Sequence, residues 1–243
     1  HIEGALYKRG LKLLLCCADG IPEKEVSCLS MATQNKVDGV IALTYSDIGK
    51  YIGKDLPIVV FDRFFENHVI PRVASDNFAG ACLAIEKLLE FGCRHPVYVR
   101  FHSVFPGESD KRKDGYLYAC SKHGLEPDYL DMLDNEDLPV QMKDFLYKHK
   151  RADNTLTFDG VFAHTDYHGY MFAKLLRQEG YRVPEDVQII GFEDDGLFVS
   201  SICHPVRQLA EKCVEILLEE DRSALPSLTL LPVKYQYGGT TIR

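Results

Sequence analysis

The sequence has no apolar run long enough for a membrane helix. Its longest, such as Leu13 to Ala18 and Pro57 to Phe61, fall far short of the ~20 residues a bilayer span requires. An excess of positive charge is also lacking. Twenty-eight Lys and Arg stand against 36 Asp and Glu, a net charge of −8, so these residues repel phosphate backbones and any DNA contact must come from elsewhere. No Cys-x-x-Cys occurs among the eight cysteines, which argues against a zinc ribbon or a thioredoxin-like site. Cys16, Cys28, Cys82, Cys93, Cys120 and Cys213 sit among apolar or helical neighbours, as small hydrophobes of a chain kept in the reducing cytoplasm do. The opening His-Ile-Glu-Gly-Ala-Leu-Tyr-Lys has no basic start, apolar stretch or small-residue cleavage site, so it does not read as a signal peptide. Gly-x-Gly-x-x-Gly, Gly-x-x-x-x-Gly-Lys-[Ser/Thr] and Gly-x-Ser-x-Gly are absent, and no nucleophile has a base beside it. The expectation is a protein that is not an enzyme and needs no cofactor.

What is present is an ordinary globular composition, 46% hydrophobic and 26% charged, over 243 residues, enough for one to two domains. Two periods alternate along it. Lys12–Cys17, Val37–Leu43, Pro57–Phe61, Val97–Arg100, Gly160–Ala163 and Val187–Gly191 are short, nearly continuous apolar runs, the pattern of strands buried on both faces of a parallel sheet. Pro22–Asn35 begins with proline and a first-turn glutamate, as a helix does. Phe78–Phe91, Lys113–His123 and Tyr167–Glu179 have helical spacing and stop at Gly92, Gly124 and Gly180. Val206–Glu219 places Val206, Leu209, Ala210, Cys213 and Leu217 on one helical face, and Leu228–Tyr237 reads as a last strand. The succession predicts an α/β fold with parallel sheets, better divided into two sheets than built as one.

Tyr181-Arg-Val-Pro-Glu-Asp-Val-Gln-Ile-Ile-Gly-Phe-Glu-Asp-Asp195 closely resembles the signature G-x-x-V-P-x-D-V-x-V-x-G-F-D-D of the effector-binding core of lactose-repressor (LacI/GalR) family transcription regulators. Val37–Ile41, Leu56–Arg63, Val73–Gly80 and Arg112–Tyr116 follow that family's order. The resemblance covers essentially the whole chain. It implies a periplasmic-binding-protein-like fold of two doubly wound parallel-sheet subdomains joined by three crossovers, with a small molecule bound in the cleft between them. The expected division gives residues 1–75 and 204–222 to an N-terminal subdomain, and 76–203 and 223–243 to a C-terminal one. Against the family pattern, the sequence opens inside the first core helix at Ile2-Glu3-Gly4, without a helix-turn-helix headpiece or first strand. Cys203-His204 also runs straight into Pro205 where the family has a strand resembling L-T-T-I-x-Q, so residues are expected to be missing there.

Candidate effector contacts follow from strand ends and from the resemblance. Asp62-Arg63 ends a strand, where ligands collect in open α/β sheets. A carboxylate for vicinal hydroxyls beside a forked guanidinium suits a sugar or sugar phosphate, the competing reading being a salt bridge or a turn cap. Arg112 matches the arginine of the family's R-x-x-G motif, although Lys111 and Lys113 also allow a solvated basic face. Thr165-Asp166 resembles the family's N-D pair with Thr for Asn. Glu193 stands for the first Asp of G-F-D-D, one methylene longer, while Asp194 can cap the following segment. Tyr45 and His102 are further candidates. His164 and His168 are four apart, as metal ligands on one helical face would be, but they straddle a strand-to-helix junction and no metal is expected. Phe61, Phe64, Phe65 and Phe101 read as core more readily than as sugar-stacking platforms.

The expected function is a ligand-responsive transcription regulator, in the sense of a repressor. A sugar-type effector changes how a homodimer presents two heads to operator DNA. The alternatives are an exported sugar-binding protein, which the cysteines and Gly-Phe-Glu-Asp-Asp disfavour, and a sugar-acting enzyme, for which no carboxylate pair is selected.

Overall fold

The computed structural model describes residues 1–243 except 45, 47, 54–55, 64–69, 104–105, 134–136 and 243, together with the side chain of residue 223. Its elements are α1 (Ile2–Tyr7), α2 (Pro22–Gln34), β1 (Val40–Ala42), β2 (Ile58–Phe61), β3 (Arg72–Ser75), α3 (Asn77–Glu90), β4 (Pro96–His102), α4 (Lys111–His123), β5 (Tyr129–Leu133), α5 (Leu138–Lys148), β6 (Gly160–Ala163), α6 (Asp166–Gln178), β7 (Gln188–Glu193), β8 (Ser200–Cys203), α7 (Val206–Leu217), β9 (Leu228–Leu231) and β10 (Lys234–Gln236). They group into two compact units, one of residues 1–75, 105–109 and 205–231, the other of 76–104, 110–204 and 232–243.

The first unit is built on a parallel sheet in the order β1-β2-β3-β9. Successive residues of β2 point to opposite faces. Val59 packs with Leu209, Cys213 and Ile216 of α7, while Ile58 packs with Leu29 of α2. The second unit has the order β10-β8-β7-β6-β4-β5, parallel except for β10, which runs antiparallel to β8. Here Val97, Val99, Phe101, Val161 and Ile189 face Leu146 of α5 and Phe172 and Leu176 of α6. Tyr98, Phe162 and Ile190 face Ile85 and Leu88 of α3 and Tyr116 of α4 on the other side. Helices on both faces explain why these strands read as continuous apolar runs. Phe101 is therefore core, as expected, and Phe61 packs on the first unit's core. Phe64 and Phe65 lie outside the described residues.

Helix starts follow local chemistry. Asp76 Oδ1 accepts the Ala79 amide at 2.9 Å to open α3, Thr165 Oγ1 accepts the His168 amide at 3.2 Å to open α6, and Pro22 opens α2.

Four sequence expectations change. Lys12–Cys17 is not a strand: it pairs with no neighbour among the described residues, and Leu15 is 75% exposed. With Val40, Ile41 and Ala42 it lines a groove of about 550 Å3, and its strand-like pattern finds no ladder to join. The expected last strand, Leu228–Tyr237, is two strands in different sheets, because Pro232 has no amide to continue a ladder. Since β9 pairs with β3 from Arg72↔Leu228 to Ser75↔Leu231, residues 223–231 belong with the first unit rather than with 232–243. Finally, no strand is lacking before Pro205. Ser200–Cys203 supplies it as β8, lying between β7 and β10.

Candidate functional site

In the second unit, the carboxyl ends of β6 and β7 and the amino ends of α3, α4 and α6 bring a polar cluster together. Arg112, in the first turn of α4, is only 2% exposed. Its Nε donates to Asn77 Oδ1 at 2.7 Å and its Nη1 to the His164 carbonyl at 2.5 Å. The guanidinium lies 3.8 Å from the centroid of the Phe192 ring, and Nη1 is 3.7 Å from Glu193 Oε1. The planar fork is thus fixed on three sides, with the Glu193 carboxylate, whose side chain is 40% exposed, as the solvent-facing partner. The neighbours Lys111 and Lys113 turn elsewhere, to Asp114 at 2.8 Å and Asp131 at 2.6 Å. The tripeptide therefore does not form one basic face.

The histidines around Arg112 carry no charge at neutral pH. His164 Nδ1 is 2.7 Å from the buried Tyr98 hydroxyl, and burial, reinforced by Arg112, pushes its pKa well down. Burial and Arg112 likewise lower His204, whose ring packs against Phe192, to about 4. Arg112 and Glu193 then offer a donor fork and an acceptor pair whose formal charges cancel. That combination answers the vicinal hydroxyls of a polyol.

Thr165 and Asp166 stand close by in other roles. Besides capping α6, Thr165 Oγ1 lies 2.9 Å from His168 Nδ1. Asp166 is 1% exposed, and its Oδ2 accepts the amides of Asp194 at 2.7 Å and Asp195 at 3.2 Å. Burial raises its pKa to about 6 against those hydrogen bonds. His164 and His168 are engaged with Tyr98 and Thr165, their ring centroids 6.4 Å apart. No group of three or more metal-ligating side chains occurs among the described residues.

His102 joins a different cluster at the ends of β4 and β5. Its Nε2 is 3.5 Å from Asp131 Oδ1, which also meets Arg100 Nη1 at 2.9 Å. Burial pushes the Asp131 carboxyl up, but the Lys113 hydrogen bond and the charges of Arg100, Lys113 and His102 outweigh it and hold it below the usual value.

In the first unit Asp62 follows β2 in a left-handed conformation, φ 61°, and its carbonyl accepts the Glu108 amide at 3.1 Å. Arg63 Nη1 donates to the Pro106 carbonyl at 3.3 Å, so its fork braces the 106–109 segment. Tyr45 lies outside the described residues. Of the residues singled out in the sequence, the structure thus unites Arg112 and Glu193, sets Thr165 and Asp166 behind them, and puts His102 in a separate cluster. Asn77, Phe192 and His204 escaped the sequence reading as site residues, and His164 entered it only as half of a metal pair that was set aside. Asn77 and Phe192 do lie inside the segments that carry the family resemblance, but His164 acts through its backbone carbonyl, which no side-chain pattern reveals.

The family model for the periplasmic binding protein-like domain matches residues 85–241. The sucrose operon repressor of Streptococcus mutans is 27% identical over 243 residues, covering 96% of this chain and 72% of that protein. The ribose operon repressor of Halalkalibacterium halodurans is 33% identical over 208 residues, 84% of this chain and 59% of that protein. Among solved structures, a periplasmic binding protein/LacI transcriptional regulator from Alkaliphilus metalliredigens, complexed with D-xylulofuranose, superposes with a TM-score of 0.79 at 26% identity, covering 100% of this chain and 92% of that one.

Proposed function

This chain belongs to the periplasmic-binding-protein-like domain family, and from that membership and its sugar-operon-repressor relatives we propose that it is the effector-binding core of a transcription repressor. Its effector is a sugar or sugar derivative held by Arg112 and Glu193. The observation that carries this reading is the Arg112–Glu193 pair at the carboxyl edge of the second unit's sheet, where open α/β folds take their ligands. Free cysteines throughout the described chain support a cytoplasmic protein. Operator DNA is contacted by a separate DNA-binding segment, since the net charge of −8 gives these residues no phosphate-neutralising surface. A homodimer presents two such segments to a palindromic site, and the chain carries no catalytic role.

A thermal-shift and calorimetric panel of D-ribose, D-xylulose and sucrose with their phosphate esters tests the reading. A ligand that binds only the folded state raises its stability by mass action. Binding of at least one sugar, weakened about 10-fold or more but still measurable in Arg112→Ala and Glu193→Ala, supports it. Failure of every sugar to bind a folded protein contradicts it. Because Arg112 already faces Glu193 and the nearby histidines are neutral, the unesterified sugars are expected to bind more tightly than their phosphates.

A further inference from the structure

Asp166 is placed by its sequence as an effector contact, yet it is 1% exposed; its Oδ2 is already occupied, and its Oδ1, without a hydrogen-bond partner among the described residues, is buried. Oδ2 accepts the Asp194 amide at 2.7 Å and the Asp195 amide at 3.2 Å. Ser201 Oγ on β8 takes a share of the Asp194 amide at 3.1 Å. The other carboxylate oxygen, Oδ1, is buried against Gly191, where a Cβ would come within 2.2 Å of it. Only glycine at 191 lets the carboxyl sit so deep.

What the two hydrogen bonds hold is unusual backbone. Glu193 has φ 122° and Asp194 φ 68°, two consecutive non-glycine residues in the left-handed half of conformational space, which persists only where surroundings over-determine it. With the negative φ of an ordinary strand residue, the Glu193 Cβ would leave the backbone in a different direction. In the pinned turn, Glu193 Oε1 instead stands 3.7 Å from Arg112 Nη1.

We propose that Asp166 is a positioning residue: without touching the effector, it fixes the turn at Glu193–Asp195 and thereby aims the Glu193 carboxylate at the Arg112 site. This rests on the effector reading given above. It predicts a signature that general loss of structure does not give: the effect of Asp166 on sugar affinity passes through Glu193.

Hydrogen exchange on the sugar-free protein and a double-mutant cycle on the sugar-binding protein test this together. Asp166→Ala is expected to speed exchange of the Asp194 and Asp195 amides by roughly 10-fold or more, while amides in β6 keep their protection. Asp166→Asn, whose amide oxygen can still accept both N–H groups, should retain most of the protection. If Asp166→Ala does not fold, Asp166→Glu takes its place, since one methylene displaces the carboxylate from the two amides. With the sugar that binds the wild type, taken from the D-ribose and D-xylulose probes, Asp166→Ala should weaken affinity about 10-fold, but by less than about 2-fold in a Glu193→Ala background. Unchanged exchange at Asp194 and Asp195, or fully additive losses in the cycle, overturns the positioning role. Absence of sugar binding by the wild type overturns the effector reading instead, and the exchange result still decides whether Asp166 holds the turn.

Discussion

The Arg112 guanidinium lies over the Phe192 ring, 3.8 Å from its centroid, while its Nε donates to Asn77. One residue of α4 thus joins the start of α3 to the end of β7. Stacking on an aromatic face and a forked donor geometry are properties of arginine that lysine does not share.

Arg112→Lys is therefore expected to keep the charge and lose the geometry. Sugar affinity should fall by about 10- to 100-fold, through faster dissociation more than slower association. Arg112→Ala goes further. An arginine at a helix start, flanked by lysines, suggests a surface residue that can be truncated cheaply, but at 2% exposure its removal leaves the Asn77 and His164 acceptors without their donor. We expect roughly 3 kcal/mol of lost stability, measured by denaturant unfolding.

Asp166 supplies a pH dependence of known sign. Its folded pKa of about 6 lies above its unfolded value, so its contribution is fully present below ~4 and is lost as pH rises through about 6. His204, lowered to about 4, works oppositely: its contribution is present above ~6.5 and is lost as pH falls through about 4. Asp166→Asn should remove the first dependence and leave a protein whose stability rises more steeply from pH 4 to 6.5 than that of the wild type. Thermal melts of both proteins across that range check it.

Much of the architecture is legible in the sequence for a simple reason. A strand covered by helices on both faces, such as Gly160–Ala163, has every residue buried and shows as an unbroken apolar run. The same signal misleads at Lys12–Cys17, because a run of leucines states that a segment can be buried, not that a neighbouring strand is there to bury it. Pro232 could have been read as a break between β9 and β10, since its missing amide is a property of the residue itself. The site is less legible. Glu193 and Arg112 come from motifs, but the division of labour between contact and support depends on which polar atoms are already satisfied. Asp166 spends Oδ2 on two amides and Arg63 spends Nη1 on the Pro106 carbonyl, and no one-dimensional spacing records that.

Helices α3 and α4 approach closely at Gly115. A Cβ there would lie 2.3 Å from the Phe78 carbonyl and 2.9 Å from the Ala81 Cβ, and neither backbone nor a helix-borne methyl can retreat. Gly115→Ala should destabilise by about 2–3 kcal/mol despite alanine's better helix propensity. A melting temperature equal to that of the wild type would show that the two helices are not packed as described.

Asp62→Ala probes the first unit. Asp62 holds φ 61°, a left-handed conformation that aspartate tolerates better than alanine, so the variant should lose about 1 kcal/mol of stability, read as a lowered melting temperature.

The most direct test of the account is one calorimetric titration, comparing the wild type with Glu193→Gln at neutral pH using a sugar that stabilises the folded protein. The variant keeps size and hydrogen-bonding reach but not charge, so Arg112 loses its facing anion. Saturable one-site binding is expected for the wild type, with affinity at least about 10-fold weaker in the variant and circular dichroism unchanged. Equal affinity in both would contradict the claim that the Arg112–Glu193 pair is where the sugar is held.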